Sequence, residues 1–289
     1  MFFRKAGVSA VLASLAASLA ASPAMAEIKP FQYGFQEPAS PVMEQIASFH
    51  IELFYIITFV SLFVLALLVW IVWKYRASTN PVPSKVHHNT LLEVAWTVIP
   101  IIILVVIAIP SFKLLYFEAA PPSKPDVTIR AIGKQWFWTY EYPGQAANFT
   151  FDSLGLTTTK AAAGLEPDAA VKAGKPRLLG VDNAVYVPVN KIIEVETVGA
   201  DVIHSWALPQ MGVKMDAVPG RINHTWFKAT RTGIFYGQCS ELCGASHAFM
   251  PIEVHVVSDA DYADWLAASK KKYTALAAND GDATRLASK

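Results

Sequence analysis

Long apolar stretches alternate with charged segments in the N-terminal part of the chain, and short β-type runs follow. The first apolar stretch, Val8 to Leu19, lies after Arg4 and Lys5 and before an Ala-x-Ala pattern at residues 24–26. This order is typical of a secretory signal peptide, predicted here over residues 1–26. Residues 27–48 would then form an N-terminal segment on the outer side of the membrane.

Two further apolar stretches, residues 53–73 and 94–112, contain no charged residue. At 1.5 Å per residue the first would form a helix about 31 Å long, enough to cross the hydrocarbon core of a bilayer. The second contains Pro100 and Pro110, which membrane helices tolerate when neighbouring groups satisfy the freed carbonyls. The pattern predicts a transmembrane helix hairpin over residues 49–118.

The charges of the loop between the two spans predict the orientation of the hairpin. Lys74, Arg76 and Lys85 lie in this loop, and positive loops remain in the cytoplasm. The signal peptide independently places the mature N-terminus outside. We therefore expect two spans with both termini on the outer side, in the periplasm or its equivalent, which for a bacterial protein means the inner membrane.

An exported domain is predicted after the hairpin. A proline-rich linker covers residues 119–125, and β-branched and aromatic runs separated by turn residues continue to residue 257. About seven strands at this spacing favour a β-sandwich or a Greek-key barrel. The predicted runs lie within residues 127–142, 185–189, 192–198, 202–208, 222–229, 234–237 and 252–257. Residues 155–177, rich in Ala, Gly, Lys and Pro, are interpreted as a surface insertion.

The end of the chain predicts one more helix. Ser258-x-x-Asp261 is typical of a capping box and predicts a helix over residues 258–273. Residues 274–289 are expected to form a disordered tail. The formal net charge of +1 gives no indication of nucleic-acid binding, and the hydrophobic content of 53% agrees with membrane anchorage.

The candidate chemistry is concentrated in one loop near residue 240. Cys239, Cys243, His247 and Met250 follow the spacing C-x3-C-x3-H-x2-M, and His204 lies upstream. Thiolate, thioether and imidazole are soft or borderline ligands, which favour copper over magnesium or calcium. A one-copper electron-transfer site uses a single cysteine, so the second cysteine indicates two copper ions that share two thiolate bridges.

A disulfide is the alternative for these two cysteines. They are the only cysteines of the chain, and in an exported domain such a pair usually forms a disulfide. A disulfide requires neither His247 nor Met250 nearby, whereas a metal site does.

Four segments closely resemble subunit II of haem-copper cytochrome c oxidases of the aa3 kind. They are Gly-Gln-Cys-Ser-Glu-Leu-Cys-Gly at 237–244, Asp-Val-Ile-His-Ser-Trp at 201–206, Asp-Ala-Val-Pro-Gly-Arg at 216–221 and Gln-Trp-Phe-Trp-Thr-Tyr-Glu-Tyr at 135–142. The resemblance covers nearly the whole mature chain. It implies a membrane-anchored fold in which the two-helix transmembrane hairpin is followed by an all-β, cupredoxin-like Greek-key barrel over residues 126–257.

The resemblance also implies a ligand set for a dinuclear copper A centre. Cys239 and Cys243 would bridge both copper ions, His204 and Met250 would complete one, and His247 with the Glu241 carbonyl would complete the other. The Glu241 side chain would reach a magnesium ion shared with subunit I, because a hard carboxylate suits that cation.

The same resemblance implies partners and a function. Electrons from reduced cytochrome c would arrive at Trp136 and pass through the copper centre to haem in subunit I, where oxygen is reduced and protons are pumped. Glu93 would lie at the entrance of a proton channel. Cytochrome c is basic around its haem edge, so its docking face here should be acidic. The family's docking acids correspond to Glu141, Asp182, Asp201 and Asp216.

Two other classes of protein share part of this pattern. A copper chaperone can use C-x3-C with a distant histidine, but Met250 and the two-span hairpin disfavour it. A quinol-oxidase subunit of the same superfamily has lost the copper ligands, which this chain retains. No C-x-x-C-H occurs, so the sequence predicts that the cytochrome c donor is a separate protein.

Overall fold

The computed structural model describes residues 32–144 and 149–287. The predicted signal peptide, residues 1–26, lies outside the described residues. The segment predicted over residues 27–48 is described from residue 32, and its last part belongs to the first helix, which begins at Pro41.

Two long apolar helices, α1 (Pro41–Lys74) and α2 (Thr90–Ala119), begin the described structure. The Ser40 hydroxyl accepts a hydrogen bond from the Met43 N–H and caps α1, while the Asn89 side chain caps α2 through the N–H groups of Leu91 and Leu92. Both helices are long and apolar enough to cross a membrane, and each extends beyond the predicted span at both ends. Their apolar side chains are largely exposed, as expected of surfaces that face lipid.

The exported domain follows as a set of mainly antiparallel strands, which confirms the predicted hairpin and β-domain architecture. Its described strands are β1 (Val127–Lys134), β2 (Phe137–Glu141), β3 (Thr150–Ser153), β4 (Val185–Pro188), β5 (Ile193–Gly199), β6 (His204–Leu208), β7 (Val213–Ala217), β8 (Asn223–Phe227), β9 (Gly233–Gln238) and β10 (Pro251–Val257). The sheet orders are β3-β2-β1-β5-β8, β4-β10-β9 and β6-β7. The pairs β1–β5 and β4–β10 are parallel.

The sequence pattern missed two of these strands and merged two others. The single run predicted within residues 127–142 is a hairpin of two strands, β1 and β2, which are separated by Gln135 and Trp136. The strands β3 and β7 were not predicted, because each is short and carries polar residues on its exposed face. Their existence depends on pairing with β2 and β6, respectively.

The core of the domain is aromatic and includes the strand that carries His204. All five residues of β6 are buried, so both faces of this strand are covered. Trp206 in β6 donates its indole N–H to the Tyr140 hydroxyl of β2 at 3.1 Å. Fully buried Trp138, Phe227 and Phe235 complete this packing. Because β6 is buried, the backbone of His204, the first candidate ligand along the chain, is held in place.

The segment interpreted as a surface insertion, residues 155–177, is largely exposed and is anchored in the domain by a few of its side chains. It contains two short helices, α3 (Thr159–Ala162) and α4 (Ala169–Lys172). The Lys175 ammonium then pairs at 3.0 Å with Glu253, whose side chain is fully buried in β10. Burial alone would raise the pKa of Glu253, but contacts with His255, the Val181 N–H and Lys175 lower it overall. Lys175 is therefore a structural cation.

The outer ends of both membrane helices pack on the exported domain. The Ser40 hydroxyl at the start of α1 donates to the Met211 carbonyl at 2.7 Å. Phe117 near the end of α2 packs edge-to-face on Trp226 of β8, with ring centroids 5.5 Å apart. The hairpin therefore begins and ends at the same side of the molecule, the side that carries the barrel.

The C-terminal helix α5 (Asp259–Ala287) packs against the open edge of the core. The Ser258 hydroxyl accepts the Asp261 N–H at 3.2 Å, as the capping pattern predicts. Trp265 packs on Tyr142 and Tyr186 with centroid distances of 5.2 Å and 4.8 Å. The helix continues to Ala287, so the end expected at Tyr273 is too early, and the expected tail is helical to that residue.

Candidate metal centre

The loop between β9 and β10, residues 239–250, is closed by backbone hydrogen bonds at its base. The Cys239 N–H donates to the Met250 carbonyl at 3.0 Å. The Ser240 N–H donates to the Ser205 carbonyl of β6, also at 3.0 Å. These two bonds hold the loop against the strand that begins at His204, so two segments distant in the sequence form one site.

The two cysteines face each other across the site as free thiols. Both are buried, and their sulfur atoms are 3.9 Å apart. A disulfide has a sulfur–sulfur distance of about 2.05 Å, so the structure does not contain the alternative cross-link. Zinc–thiolate bonds are about 2.3 Å long, so one metal ion can contact both sulfur atoms at the observed separation.

One imidazole lies beside each sulfur. The Nδ1 atom of His204 is 4.0 Å from the Cys239 sulfur, and the Nδ1 atom of His247 is 3.5 Å from the Cys243 sulfur. His204 is fully buried, whereas His247 is half-buried in a short 3-10 turn. The ligand atoms of His204, Cys239 and Cys243 all lie within 4.8 Å of one another.

The ring orientation of His204 is set by a carboxylate. Its Nε2–H donates to Asp201 at 2.8 Å, and a carboxylate that is ionised can only accept. Nε2 therefore keeps its proton, and Nδ1 is the ring atom that faces the sulfur atoms and that a metal ion would bind. Burial would raise the pKa of Asp201, but the hydrogen bond from His204 and two backbone N–H groups lower it overall.

Gly133 provides the space for this imidazole. A Cβ atom at Gly133 of β1 would lie 2.6 Å from the Cδ2 atom of His204, closer than carbon atoms approach in proteins. Trp138 of β2 packs against the same ring, with centroids 6.0 Å apart. A side chain at Gly133 would therefore displace the ring. The sequence pattern did not identify this glycine, because the contact joins strands far apart in the sequence.

The remaining expected ligands lie in the same loop. The Glu241 carbonyl accepts from the Cys239 thiol at 3.4 Å, while the Glu241 side chain is exposed. Met250 is 1% exposed and packs in the same core cluster as Cys239 and Cys243. The structure thus buries the three sulfur-bearing side chains of this loop and leaves the Glu241 carboxylate exposed.

The two thiols have different proton affinities. Burial opposes ionisation of Cys239, but hydrogen bonds from His204 and from backbone groups lower its pKa to about 7. Burial and the neighbouring Cys239 raise the pKa of Cys243 to about 12. Two adjacent buried thiolates require a cation to offset their charge. Sulfur and imidazole donors at these distances fit a soft or borderline metal such as copper.

Trp136 touches this site directly. Its half-buried indole donates Nε1–H to the Cys243 carbonyl at 3.2 Å. The preceding Gln135 donates its side-chain amide to the same carbonyl at 2.8 Å and its backbone N–H to Asp201 at 2.7 Å. Gln135 thereby connects the cysteine loop to the carboxylate that orients His204. Sequence reasoning assigned no role to Gln135, although it lies beside the tryptophan in the same motif.

The four candidate docking acids all have local partners. Glu141 pairs with Arg130 at 3.1 Å, and Asp216 pairs with Lys214 at 3.5 Å. Asp182 accepts the Leu154 N–H at 2.8 Å, and Asp201 is the His204 partner described above. Each acid thus has a structural role, and Asp201 belongs to the metal site.

Glu93 lies in the first turn of α2. Its carboxylate accepts the Asn89 N–H at 3.2 Å, so it contributes to the helix cap. This contact accounts for an acid at this position, and the role of Glu93 in proton uptake stays a prediction.

Comparisons with known proteins agree over almost the whole chain. A family model described as cytochrome c oxidase subunit II, transmembrane domain, matches residues 28–114, and one described as cytochrome c oxidase subunit II, periplasmic domain, matches residues 127–257. The chain is 46% identical over 258 residues to a probable cytochrome c oxidase subunit 2 of Rickettsia bellii, with 89% of this chain and 90% of the relative covered. It is 45% identical over 242 residues to cytochrome c oxidase subunit 2 of Zea mays, with 82% and 89% covered.

A solved structure is similar to the exported domain. The crystal structure of the periplasmic domain of subunit II of cytochrome oxidase of Bradyrhizobium japonicum is 56% identical in sequence. The match covers 52% of this chain and 98% of that chain, with a TM-score of 0.46.

Proposed function

This chain belongs to the cytochrome c oxidase subunit II family, and on that premise we propose that it is the electron-accepting subunit of a terminal oxidase. Reduced cytochrome c would deliver electrons to a dinuclear copper A centre in the loop 239–250, and haem in subunit I would receive them for oxygen reduction coupled to proton pumping. The observation that carries this proposal is the convergence of two free, buried thiols with two imidazoles.

The positions of the donor atoms support the proposed ligand roles. Cys239 and Cys243 would bridge the copper ions, and His204 and His247 would each bind from the Nδ1 atom that faces a sulfur. Met250 and the Glu241 carbonyl would complete the set. The copper pair would supply a centre that gains and loses one electron. A buried strand, a closed loop and the Asp201 hydrogen bond restrict ligand motion, which suits electron transfer.

Trp136 is proposed as the point where electrons arrive. Its indole is partly exposed and donates a hydrogen bond to the carbonyl of the candidate ligand Cys243. An electron donor that contacts the indole therefore lies one side chain and one hydrogen bond from the ligand loop. Four acids are proposed to guide the basic cytochrome c to its docking face: Glu141, Asp182, Asp201 and Asp216. The contribution of Asp201 to docking is limited, because its carboxylate already accepts a hydrogen bond from His204.

The hairpin is proposed to cross the bacterial inner membrane with both termini in the periplasm. Two observations support this orientation. The loop between the helices is basic, and the opposite ends of both helices pack on the exported domain. The helices would then contact subunit I and other oxidase subunits.

Docking of cytochrome c tests the proposed function. We expect a Glu141→Gln/Asp216→Asn double variant to slow bimolecular reduction by cytochrome c and to weaken its dependence on ionic strength. Rim charges act mainly on the association rate, and they are screened over about 8 Å at physiological salt. The measurement is the rate of reduction across a salt series.

A double variant with the same loss of charge elsewhere provides the control. Glu166→Gln/Asp264→Asn removes two exposed acids, one from the segment between α3 and α4 and one from α5. The control should keep the wild-type salt slope. Equal slopes for all three proteins would show that docking uses another face.

The Glu241 carboxylate is proposed to bind magnesium at the contact with subunit I. Its side chain is exposed, and hard cations prefer oxygen ligands. In the assembled oxidase, Glu241→Gln should lower the affinity for Mn²⁺, an EPR-active substitute, by about tenfold or more. Copper content should stay at the wild-type level, because the backbone carbonyl is unchanged. Unaltered Mn²⁺ binding would contradict this assignment.

A further inference from the structure

A cleft lies between α1 and α2 at the ends that face the exported domain. It has a volume of about 340 Å³ and is lined mainly by polar residues of α1 and by the turn that follows Pro110 in α2. Glu44, Ser48 and Glu52 lie at intervals of four residues on α1, so they form one stripe on the helix. Lys113 reaches the cleft from α2. None of these residues belongs to the proposed copper site.

The charged residues of this cleft have no ionic partner within the part of the chain that the structure describes. Among residues 32–144 and 149–287, the side chains of Glu44, Glu52 and Lys113 form neither an ion pair nor a hydrogen bond. Glu44 and Glu52 are separated by eight residues, or about 12 Å along the helix. The cleft thus presents two anionic groups and one cationic group to the same volume.

The position of the cleft relative to the membrane limits the kinds of ligand that it can bind. Glu52 directly precedes the uncharged stretch 53–73, and Lys113 directly follows the uncharged stretch 94–112. Both residues therefore lie at the level where hydrocarbon gives way to lipid headgroups. Below this level the helices expose large apolar side chains, including Phe59 and Ile109, each 72% exposed. A ligand held here can carry a polar head and acyl chains together.

We propose that this cleft binds the headgroup of an amine-bearing phospholipid of the phosphatidylethanolamine type. Lys113 would donate to the lipid phosphate and Glu52, at the same level, would accept from the lipid ammonium, while Glu44, about 12 Å further out along α1, would add electrostatic attraction for the amine. Charge-assisted hydrogen bonds of this kind are about twice as strong as neutral ones. The acyl chains would follow the apolar surfaces of α1 and α2.

Charge complementarity favours this lipid over others. An anionic phosphatidylglycerol would place its phosphate beside two carboxylates without an ammonium to offset them. A phosphatidylcholine carries a positive charge but has no N–H to donate. The proposal therefore predicts that the cleft binds phosphatidylethanolamine, which carries a primary ammonium, more tightly than phosphatidylglycerol or phosphatidylcholine.

Native mass spectrometry of the delipidated, assembled oxidase tests this order. The oxidase would be titrated with phosphatidylethanolamine, phosphatidylcholine and phosphatidylglycerol that share the same acyl chains. We expect wild type to retain phosphatidylethanolamine about tenfold more tightly than the other two. Equal retention of the three lipids overturns the proposal, as does the absence of retained lipid because another subunit covers the cleft. This comparison requires no variant.

Two variants and a matched control locate the binding site. Glu44→Gln/Glu52→Gln should abolish the preference for the primary amine, and Lys113→Gln should weaken binding of phosphatidylethanolamine by about tenfold. Lys85→Gln removes one positive charge from the loop at the other end of the hairpin and should change neither result. Variants that retain lipid in the wild-type order would place the lipid elsewhere and overturn the proposal.

Discussion

Replacing Cys243 by serine is expected to lower electron uptake from reduced cytochrome c by at least about a hundredfold. The Cys243 and Cys239 sulfur atoms are 3.9 Å apart, so both can bridge the same metal ions. A serine hydroxyl is a hard donor and resists ionisation, so it does not replace a bridging thiolate for copper. Wild-type oxidase should show the EPR hyperfine pattern of one electron shared by two copper nuclei. The variant should show the pattern of one nucleus or lose the signal.

Ser240→Ala is the control for this substitution. Ser240 lies in the same loop, and its exposed hydroxyl donates to the Gln238 carbonyl rather than facing the sulfur atoms. This variant should keep the copper content, the spectrum and the rate of the wild type. A single-nucleus pattern in wild type, or a Cys239–Cys243 disulfide that persists in excess copper, would refute the dinuclear centre.

Trp136→Phe is expected to lower the rate of electron uptake by about tenfold or more while the copper spectrum stays unchanged. Phenylalanine keeps much of the packing but loses the indole and its hydrogen bond to the Cys243 carbonyl. Gln135 continues to donate to that carbonyl at 2.8 Å, so the ligand loop remains held. Stopped-flow reduction by cytochrome c, together with the copper EPR spectrum, separates electron transfer from metal binding.

Trp265→Phe removes an indole far from the ligand loop and serves as the control. Trp265 lies in α5 and packs on Tyr142 and Tyr186. Its replacement should reduce stability without a change in the rate of electron uptake per intact copper centre. If Trp136→Phe and Trp265→Phe behave alike, Trp136 only fills space in the domain.

The sequence determined those features that depend on local pattern. Two uncharged stretches of sufficient length have few alternatives to membrane helices, because no water in the bilayer satisfies backbone groups. Alternating runs with turn residues predicted a β-domain, and the spacing of Cys239, Cys243, His247 and Met250 indicated the ligand loop. Short-range periodicity and the donor chemistry of a loop both depend only on residues that are close in sequence, so no tertiary information is required to identify them.

The sequence was less informative about strands and segments whose structure depends on distant partners. The short strands β3 and β7 exist through pairing with β2 and β6. The segment 155–177 was interpreted as surface from its composition, but that composition gave no sign that Lys175 pairs with the buried Glu253, which lies 78 positions further along the chain. Cross-strand pairing and buried ion pairs are long-range contacts, and local composition does not specify them.

Within the candidate site, the sequence identified the donor types and the tertiary structure decided their geometry. Only the fold shows that both thiols are free, that Asp201 orients His204, and that Gly133 leaves room for its ring. Gln135 became part of the site because its side chain and backbone join two ligand segments. The physical reason is that donor chemistry belongs to individual residues, whereas distance, orientation and free space belong to the packing of strands brought together by folding.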